Sequence, residues 1–166
     1  MTSRLVLATT SRSPSRSTSS RLLNDGRHRA NRQHGDLYVD EIPGLSYALS
    51  QPGVALDIEA VLTDGRDLAM SVIVPGPVPA LCLKALGYGS RYELKDALDV
   101  WRLLEVVYAT KSVGQGWPTT TEARDAKTVL RRHFLERDDA GVRDVANDKA
   151  TQTRARALVQ DIVGGD

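Results

Sequence analysis

The segment from Pro77 to Thr110 constrains the fold most, because it is predicted to form two helices joined by a short Gly-Ser turn. The first helix, Val78 to Tyr88, is apolar on nearly every side and carries one charge, that of Lys84. A helix that is apolar all round belongs in a protein core, and a lysine there requires an anionic partner to offset its desolvation. The second helix is expected to open at Ser90, which forms a Ser-x-x-Glu capping box with Glu93.

The second helix supplies carboxylates for that lysine. Asp96 and Asp99 are three residues apart, so both are predicted to project from one face. An ordinary interpretation exists for each residue: the aspartates belong to a solvated ladder of charge pairs, and the stem of Lys84 covers the core while its ammonium reaches water. Taken singly, each residue favours that interpretation. Their combined spacing favours a functional site.

The same residues resemble a known family. Lys84-Ala-Leu, then Arg91, then Lys95-Asp-Ala-Leu-Asp-Val-Trp is similar to the closing motifs of AbiEii-type nucleotidyltransferases, which include toxins of type IV toxin–antitoxin systems. The resemblance is specific over Lys84–Leu104 and extends over residues 44–107 when the preceding strands are included. It implies a bacterial-type cytoplasmic protein that transfers a nucleotide from a nucleoside triphosphate to an RNA or protein acceptor, with a cognate antitoxin protein as a further partner.

The resemblance also implies roles for individual residues. Lys84 and Asp96 would be the catalytic pair, Lys84 contacting the nucleotide phosphates and Asp96 shaping the site. Arg91, Lys95 and Asp99 would line the same cleft and bind substrate. Nucleotidyl transfer further requires carboxylates that hold divalent cations, so Mg²⁺ is the implied cofactor.

The metal-binding element of the family is not found in this sequence. Family members carry a Gly-Ser or Gly-Thr turn followed by an acidic-x-acidic strand. Asp57 and Glu59 are the nearest candidates, because alternate residues lie on one face of a strand, as a two-metal site requires. They lie just before the lysine helix, too late for the first family motif, and water-facing strands commonly carry such pairs. A third, weaker hypothesis makes them a relocated metal pair. The absent element predicts a protein shortened at its N-terminus, with an apolar face left exposed where the missing strands would pack.

The pattern before the lysine helix is that of a small antiparallel sheet. Apolar residues alternate from Val54 to Leu62, which predicts a strand. Asp64-Gly65 is a strong hairpin signal and returns the chain into a second strand, Asp67 to Val74. A shorter strand at residues 36–42 and a short helix at 45–50 are predicted upstream.

Helices follow after Thr110. A capping box of Thr119 and Glu122 opens a helix predicted to run to about residue 137, a polar link follows over 138–147, and a last helix covers about 149–163. The predicted fold class is α+β: a partial nucleotidyltransferase-like antiparallel sheet followed by a helical C-terminal region. Residues 36–110 would form the nucleotidyltransferase-like part, and residues 111–166 would extend the same domain.

The net charge of +1 conceals an asymmetry. Residues 1–35 contain seven arginines and one aspartate, and their low-complexity composition predicts a disordered basic leader. A basic segment on an acidic body suggests an alternative function, a non-catalytic regulatory protein that binds nucleic acid or a protein partner. The single cysteine, Cys82, fits a reducing cytoplasm, and no apolar run approaches the ~20 residues needed to cross a membrane. Walker, GxGxxG and nucleophile-elbow motifs are absent from the sequence, which argues against the enzyme classes built on them.

Overall fold

A computed structural model describes residues 9–10, 29–34, 37–114, 116–136 and 139–164 of the chain. These residues form mixed helix and strand structure, which confirms the α+β class in its coarse form. The strands are β1 (Thr9–Thr10), β2 (Arg29–His34), β3 (Leu37–Glu41), β4 (Gly53–Val61) and β5 (Asp67–Pro75). The helices are α1 (Leu45–Ser50), α2 (Pro77–Arg91), α3 (Leu94–Ala109), α4 (Thr121–Phe134), α5 (Ala140–Val145) and α6 (Lys149–Val163).

The predicted hairpin is confirmed. β4 and β5 pair antiparallel from Gly53 opposite Pro75 to Val61 opposite Asp67. The turn works because Gly65 adopts a positive φ of 86°, which is open to glycine without steric cost. β1 adds to the other edge of β4, while β2 and β3 form a separate two-stranded sheet. β2 lies in the segment predicted to be a disordered leader; apart from β1 and β2, residues 1–35 lie outside the described residues.

The core is built by helices rather than by the sheet. Its buried side chains come from α1 to α6, and none comes from β4 or β5. Its largest fully buried members are Tyr88, Phe134, Leu81, Leu104, Leu130 and Leu158.

The apolar face of the hairpin lies outside this core. Val54, Leu56, Ile58 and Ala60 alternate on β4 and pair with apolar residues of β5, yet no residue of either strand is buried. Met70 is 46% exposed. Val54, Leu56 and Ile58 are half-buried, whereas Ala60, Leu68 and Met70 are exposed, so the apolar face expected from the sequence is exposed only in part.

The connection between the two motif helices differs from the prediction. Ser90 lies inside α2, and its hydroxyl donates to the Gly87 carbonyl at 2.9 Å. A hydroxyl bonded to its own helix in this way does not cap the next one. α3 instead begins after Glu93, whose side chain makes no capping hydrogen bond. The predicted Ser90–Glu93 capping box is wrong, and only Tyr92 and Glu93 separate the helices.

The C-terminal helices follow the predicted pattern with two corrections. The N-cap of α4 is Thr120, whose hydroxyl accepts from the Ala123 amide, so the cap lies one residue after Thr119. The predicted polar link contains α5, where Gly141 and Val142 are buried. α6 matches its predicted range. No helix among the described residues is long and apolar enough to cross a membrane.

Candidate functional site

The residues of the lysine motif meet where α2 packs on α3. Lys84, Gly87 and Arg91 are spaced by three and four residues along α2, so they lie on one side of that helix. Asp96 comes from the first turn of α3 and faces them. Its side chain is completely buried, with 0% of its surface exposed. A fully buried carboxylate is rare in proteins unless it is paired, so its partners define the site.

The two oxygens of Asp96 have different surroundings. Arg91 Nη2 donates to Asp96 Oδ2 at 2.6 Å, a short charge-assisted hydrogen bond. Lys84 Nζ lies 3.7 Å from Asp96 Oδ1, which is an ion-pair distance but too long for a hydrogen bond. Oδ1 accepts no hydrogen bond from any described residue. The carboxylate therefore holds Arg91 firmly and attracts Lys84 only through space.

Lys84 makes its close contact with the other aspartate. Its ammonium lies 2.8 Å from Asp99 Oδ2, and Arg102 approaches Asp99 Oδ1 at 3.5 Å. The sequence prediction that Lys84 faces both Asp96 and Asp99 is therefore confirmed. Arg102 is mostly exposed and adds a third cation at the rim of the cluster. We call Lys84, Arg91, Asp96 and Asp99 the α2–α3 site.

The α2–α3 site opens to solvent through Lys84, Arg91 and Asp99. The Lys84 side chain is 38% exposed and that of Arg91 is 30% exposed, whereas Asp96 is enclosed. The Asp99 carboxylate, 33% exposed, lies beside the Lys84 ammonium on this surface. Asp96 holds Arg91 from below through its buried carboxylate.

Gly87 lies directly beside the ion pair of Arg91 and Asp96. A Cβ atom at this position would lie 3.5 Å from Arg91 Nη2 and 3.8 Å from Asp96 Oδ2. Both are ordinary van der Waals distances, so the ion pair packs directly over the bare backbone. Sequence reasoning missed this residue; the signal was a glycine inside an otherwise apolar helix.

Lys95 lies outside the α2–α3 site. Its ammonium pairs with Glu93 at 3.0 Å, and the side chain is largely exposed. The same contact lowers the pKa of the Glu93 carboxyl. The structure therefore brings together four of the five residues predicted for this cleft and directs Lys95 to a different partner.

The structure places Asp57 and Glu59 on the exposed hairpin. Both are exposed residues of β4, and Asp57 Oδ1 accepts a hydrogen bond from Ser71 across the strand pair. Among the described residues, no group of three or more histidine, cysteine, aspartate or glutamate side chains is arranged to hold a metal ion. The Mg²⁺ that the resemblance implies therefore stays a prediction.

A cluster of aromatic rings lies between α2 and α4. Tyr88 lies in α2, and its ring packs edge to face with those of Tyr92, His133 and Phe134. Tyr92, the C-cap of α2, also packs edge to face with His133 of α4. The Tyr88 hydroxyl donates to Asp144 at 2.8 Å, and burial together with this bond raises the pKa of Tyr88 above its usual value. Tyr88 ties α2 to α5, while Tyr92 remains 54% exposed. Neither tyrosine was predicted from the sequence to be a site residue.

Comparisons with protein-family models, with curated proteins and with solved structures find no match to this chain. The similarity of the motif residues to AbiEii-type nucleotidyltransferases therefore stays a prediction.

Proposed function

We propose that this chain is a nucleotidyltransferase-like protein whose α2–α3 site binds the phosphates of a nucleoside triphosphate. One observation carries the proposal. The resemblance assigns phosphate contact to Lys84, substrate binding to Arg91 and site shaping to Asp96. Lys84 and Arg91 lie together at the fully buried carboxylate of Asp96. Their association does not follow from surface charge alone, because a solvated charge ladder leaves its carboxylates exposed.

The chemistry of the two cations suits phosphate. Arginine offers a planar set of donors that matches phosphate oxygens, and lysine acts as a compact point charge. Arg91 already donates through Nη2 to Asp96, so its remaining N–H groups are the ones available to an incoming anion. Lys84 would exchange its exposed contact with Asp99 for a phosphate oxygen. Asp96 would act as a positioning residue, because it holds Arg91 in place before the ligand arrives.

The proposed role of these residues is to bind and orient the nucleotide. Nucleotidyl transfer would further require Mg²⁺ to neutralise charge on the phosphates. Transfer to an RNA or protein acceptor is the activity that the resemblance implies, and the contacts of Lys84, Arg91 and Asp96 support the phosphate-binding part of it.

Thermal unfolding of the full chain tests the proposal. Each of the four nucleoside triphosphates is added with and without Mg²⁺. A ligand at one hundred times its dissociation constant stabilises the folded state by about 2.7 kcal/mol. For a chain of this size that corresponds to a rise in Tm of about 5–11 °C.

Two lysine variants give the matched comparison. Lys84→Gln should abolish the shift, because it removes a cation of the α2–α3 site. Lys95→Gln should preserve it, because Lys95 pairs with Glu93 instead. Equal shifts in both variants, or no shift with any nucleotide in a wild-type protein that melts cooperatively, would contradict the proposal.

A second candidate is a non-catalytic regulatory protein. The exposed apolar face of the β4–β5 hairpin supports it, because such faces commonly contact partners. The arginine-rich composition of residues 1–35 adds RNA as a ligand. RNA binding that weakens with salt, and disappears when those seven arginines are replaced by glutamine in the full chain, would support this candidate. Binding that is unchanged by the replacement would exclude it.

A further inference from the structure

Lys84 lies between two carboxylates that differ in burial. Its ammonium is 2.8 Å from Asp99 Oδ2 and 3.7 Å from Asp96 Oδ1. The Asp96 side chain is completely buried, whereas the Asp99 side chain is partly exposed. The close anionic partner of Lys84 is therefore the one at the surface, where a ligand would arrive.

The contact between Lys84 and Asp99 can open at low cost. Both side chains are partly exposed, and water solvates the charges of such a pair when they separate. Asp99 would keep a cation nearby, since Arg102 Nη1 lies 3.5 Å from its other oxygen, Oδ1. Lys84 would keep the through-space attraction of Asp96, whose Oδ1 accepts no hydrogen bond from any described residue. The pair can therefore separate without leaving either charge uncompensated.

Asp99 opposes an anion at Lys84 in two ways. Its carboxylate occupies an ammonium donor that a phosphate oxygen would use, and its negative charge repels the phosphate. We propose that Asp99 is a built-in competitor of the ligand, which must displace this carboxylate from Lys84 in order to bind at the α2–α3 site. This inference rests on the proposed function. It changes the role that the resemblance gives Asp99, because the residue would lower the affinity for the nucleotide instead of contributing to it.

The size of the effect follows from the exposure of the pair. Loss of an exposed ion pair changes an equilibrium constant by up to about fivefold. Repulsion between two unit charges about 4 Å apart in water contributes a similar factor. Asp99→Asn removes both and should therefore tighten ATP binding about 5- to 30-fold. A substitution that merely disturbed the structure of the site would weaken binding instead.

Calorimetric titration of the full chain with ATP, at an ionic strength of about 0.15 M, tests the inference. Asp99→Glu keeps the negative charge and should bind ATP with nearly the wild-type affinity. Glu105→Gln is the matched control for charge. Glu105 also lies on α3, is 37% exposed and pairs with a cation at 2.8 Å, but that cation is Arg154. It lies about 9 Å farther along the helix than Asp99, beyond the screening length of about 8 Å, so its replacement should leave ATP binding within about twofold.

The possible results separate the inference from the proposed function. A wild-type chain that binds ATP, together with Asp99→Asn that binds it no more tightly, overturns the competitor role and leaves the phosphate site standing. An equal gain in Glu105→Gln also overturns that role, because the change in net charge would then explain both gains. Binding that is detected only in Asp99→Asn supports the inference, whereas no ATP binding in either protein refutes the proposed function itself. Unfolding curves show whether Asp99→Asn is folded, and Asp99→Ser replaces it if it is not.

Discussion

Replacing Asp96 by asparagine tests the central feature of the site. The substitution keeps the volume of the side chain and removes its charge. Arg91 Nη2, which donates to Oδ2 at 2.6 Å, would then face a neutral amide, and Lys84 would lose the nearby charge of Oδ1. The structure makes Asp96 the common partner of two cations on another helix, so we expect α2 and α3 to be held together less firmly.

The magnitude follows from burial. Loss of one partner from a fully buried ion pair costs about 3–5 kcal/mol. Here the cations are only partly buried and can turn toward water, so most of the penalty of an unpaired buried charge is avoided. What is lost is a charge-assisted hydrogen bond, which contributes about 1.5–3 kcal/mol. We expect the free energy of unfolding to fall by about 2 kcal/mol and Tm by about 4–8 °C.

Urea unfolding monitored by far-ultraviolet circular dichroism measures this difference. Asp99→Asn is the matched control, because Asp99 is partly exposed and pairs with Lys84 near the surface. An exposed pair of this kind contributes at most about 1 kcal/mol. A loss below about 0.5 kcal/mol in Asp96→Asn, or a loss no larger than that of Asp99→Asn, would refute the reasoning, since surface substitutions commonly fall in that range.

Three further predictions concern packing and ionisation. Gly87→Ala should raise the free energy of unfolding by about 0.5–1 kcal/mol, because the added methyl group makes only van der Waals contacts and favours the helix. Gly89→Ala should lower the free energy of unfolding, because its methyl group would lie 2.9 Å from a valine of α4. The urea midpoints of the two variants should therefore move in opposite directions. Burial raises the pKa of Cys82 to about 12, so the folded state resists ionisation of this thiol. The free energy of unfolding should therefore fall as pH rises above about 8.5, by up to about 1.4 kcal/mol per pH unit. Urea midpoints from pH ~8 to ~10 should show this slope in the wild type and lose it in Cys82→Ala, and an identical slope in both proteins would contradict the prediction. Met70→Ser on the exposed hairpin should lower the free energy of unfolding by less than about 1 kcal/mol, whereas Leu104→Ala in the helical core should lower it by about 2–5 kcal/mol. Similar losses of stability in the two variants, measured by thermal unfolding, would show that the hairpin belongs to the core.

Several elements could be predicted because local chemistry is sufficient to define them. The hairpin combines strict alternation over two strands with an Asp64-Gly65 turn, and both strands form within about one residue of the predicted limits. The range of α6 was predictable because Asp148 caps its start and apolar residues recur at helical spacing. Neither prediction requires knowledge of a distant residue.

The errors arose where distant residues decide the outcome. α5 is only six residues long and has little helical signal of its own. It forms where Gly141 lets the chain approach the Phe134 ring, which a Cβ atom would meet at 2.5 Å. The capping box at Ser90 failed for another reason, since the serine hydroxyl bonds its own helix and α2 continues to Arg91. A capping pattern identifies residues able to cap but not which competing bond they make.

The sequence by itself determined the main helices, the hairpin and the shared face of Asp96 and Asp99, because periodicity and spacing are local properties of the chain. Only the tertiary structure decided that Asp96, and not Asp99, is buried, because this depends on how α3 packs beneath Gly87 and Arg91. It also decided that the apolar face of the hairpin lies outside the core. Alternation shows which side chains share a face, but burial depends on the elements that cover that face, and here the helices pack on one another instead.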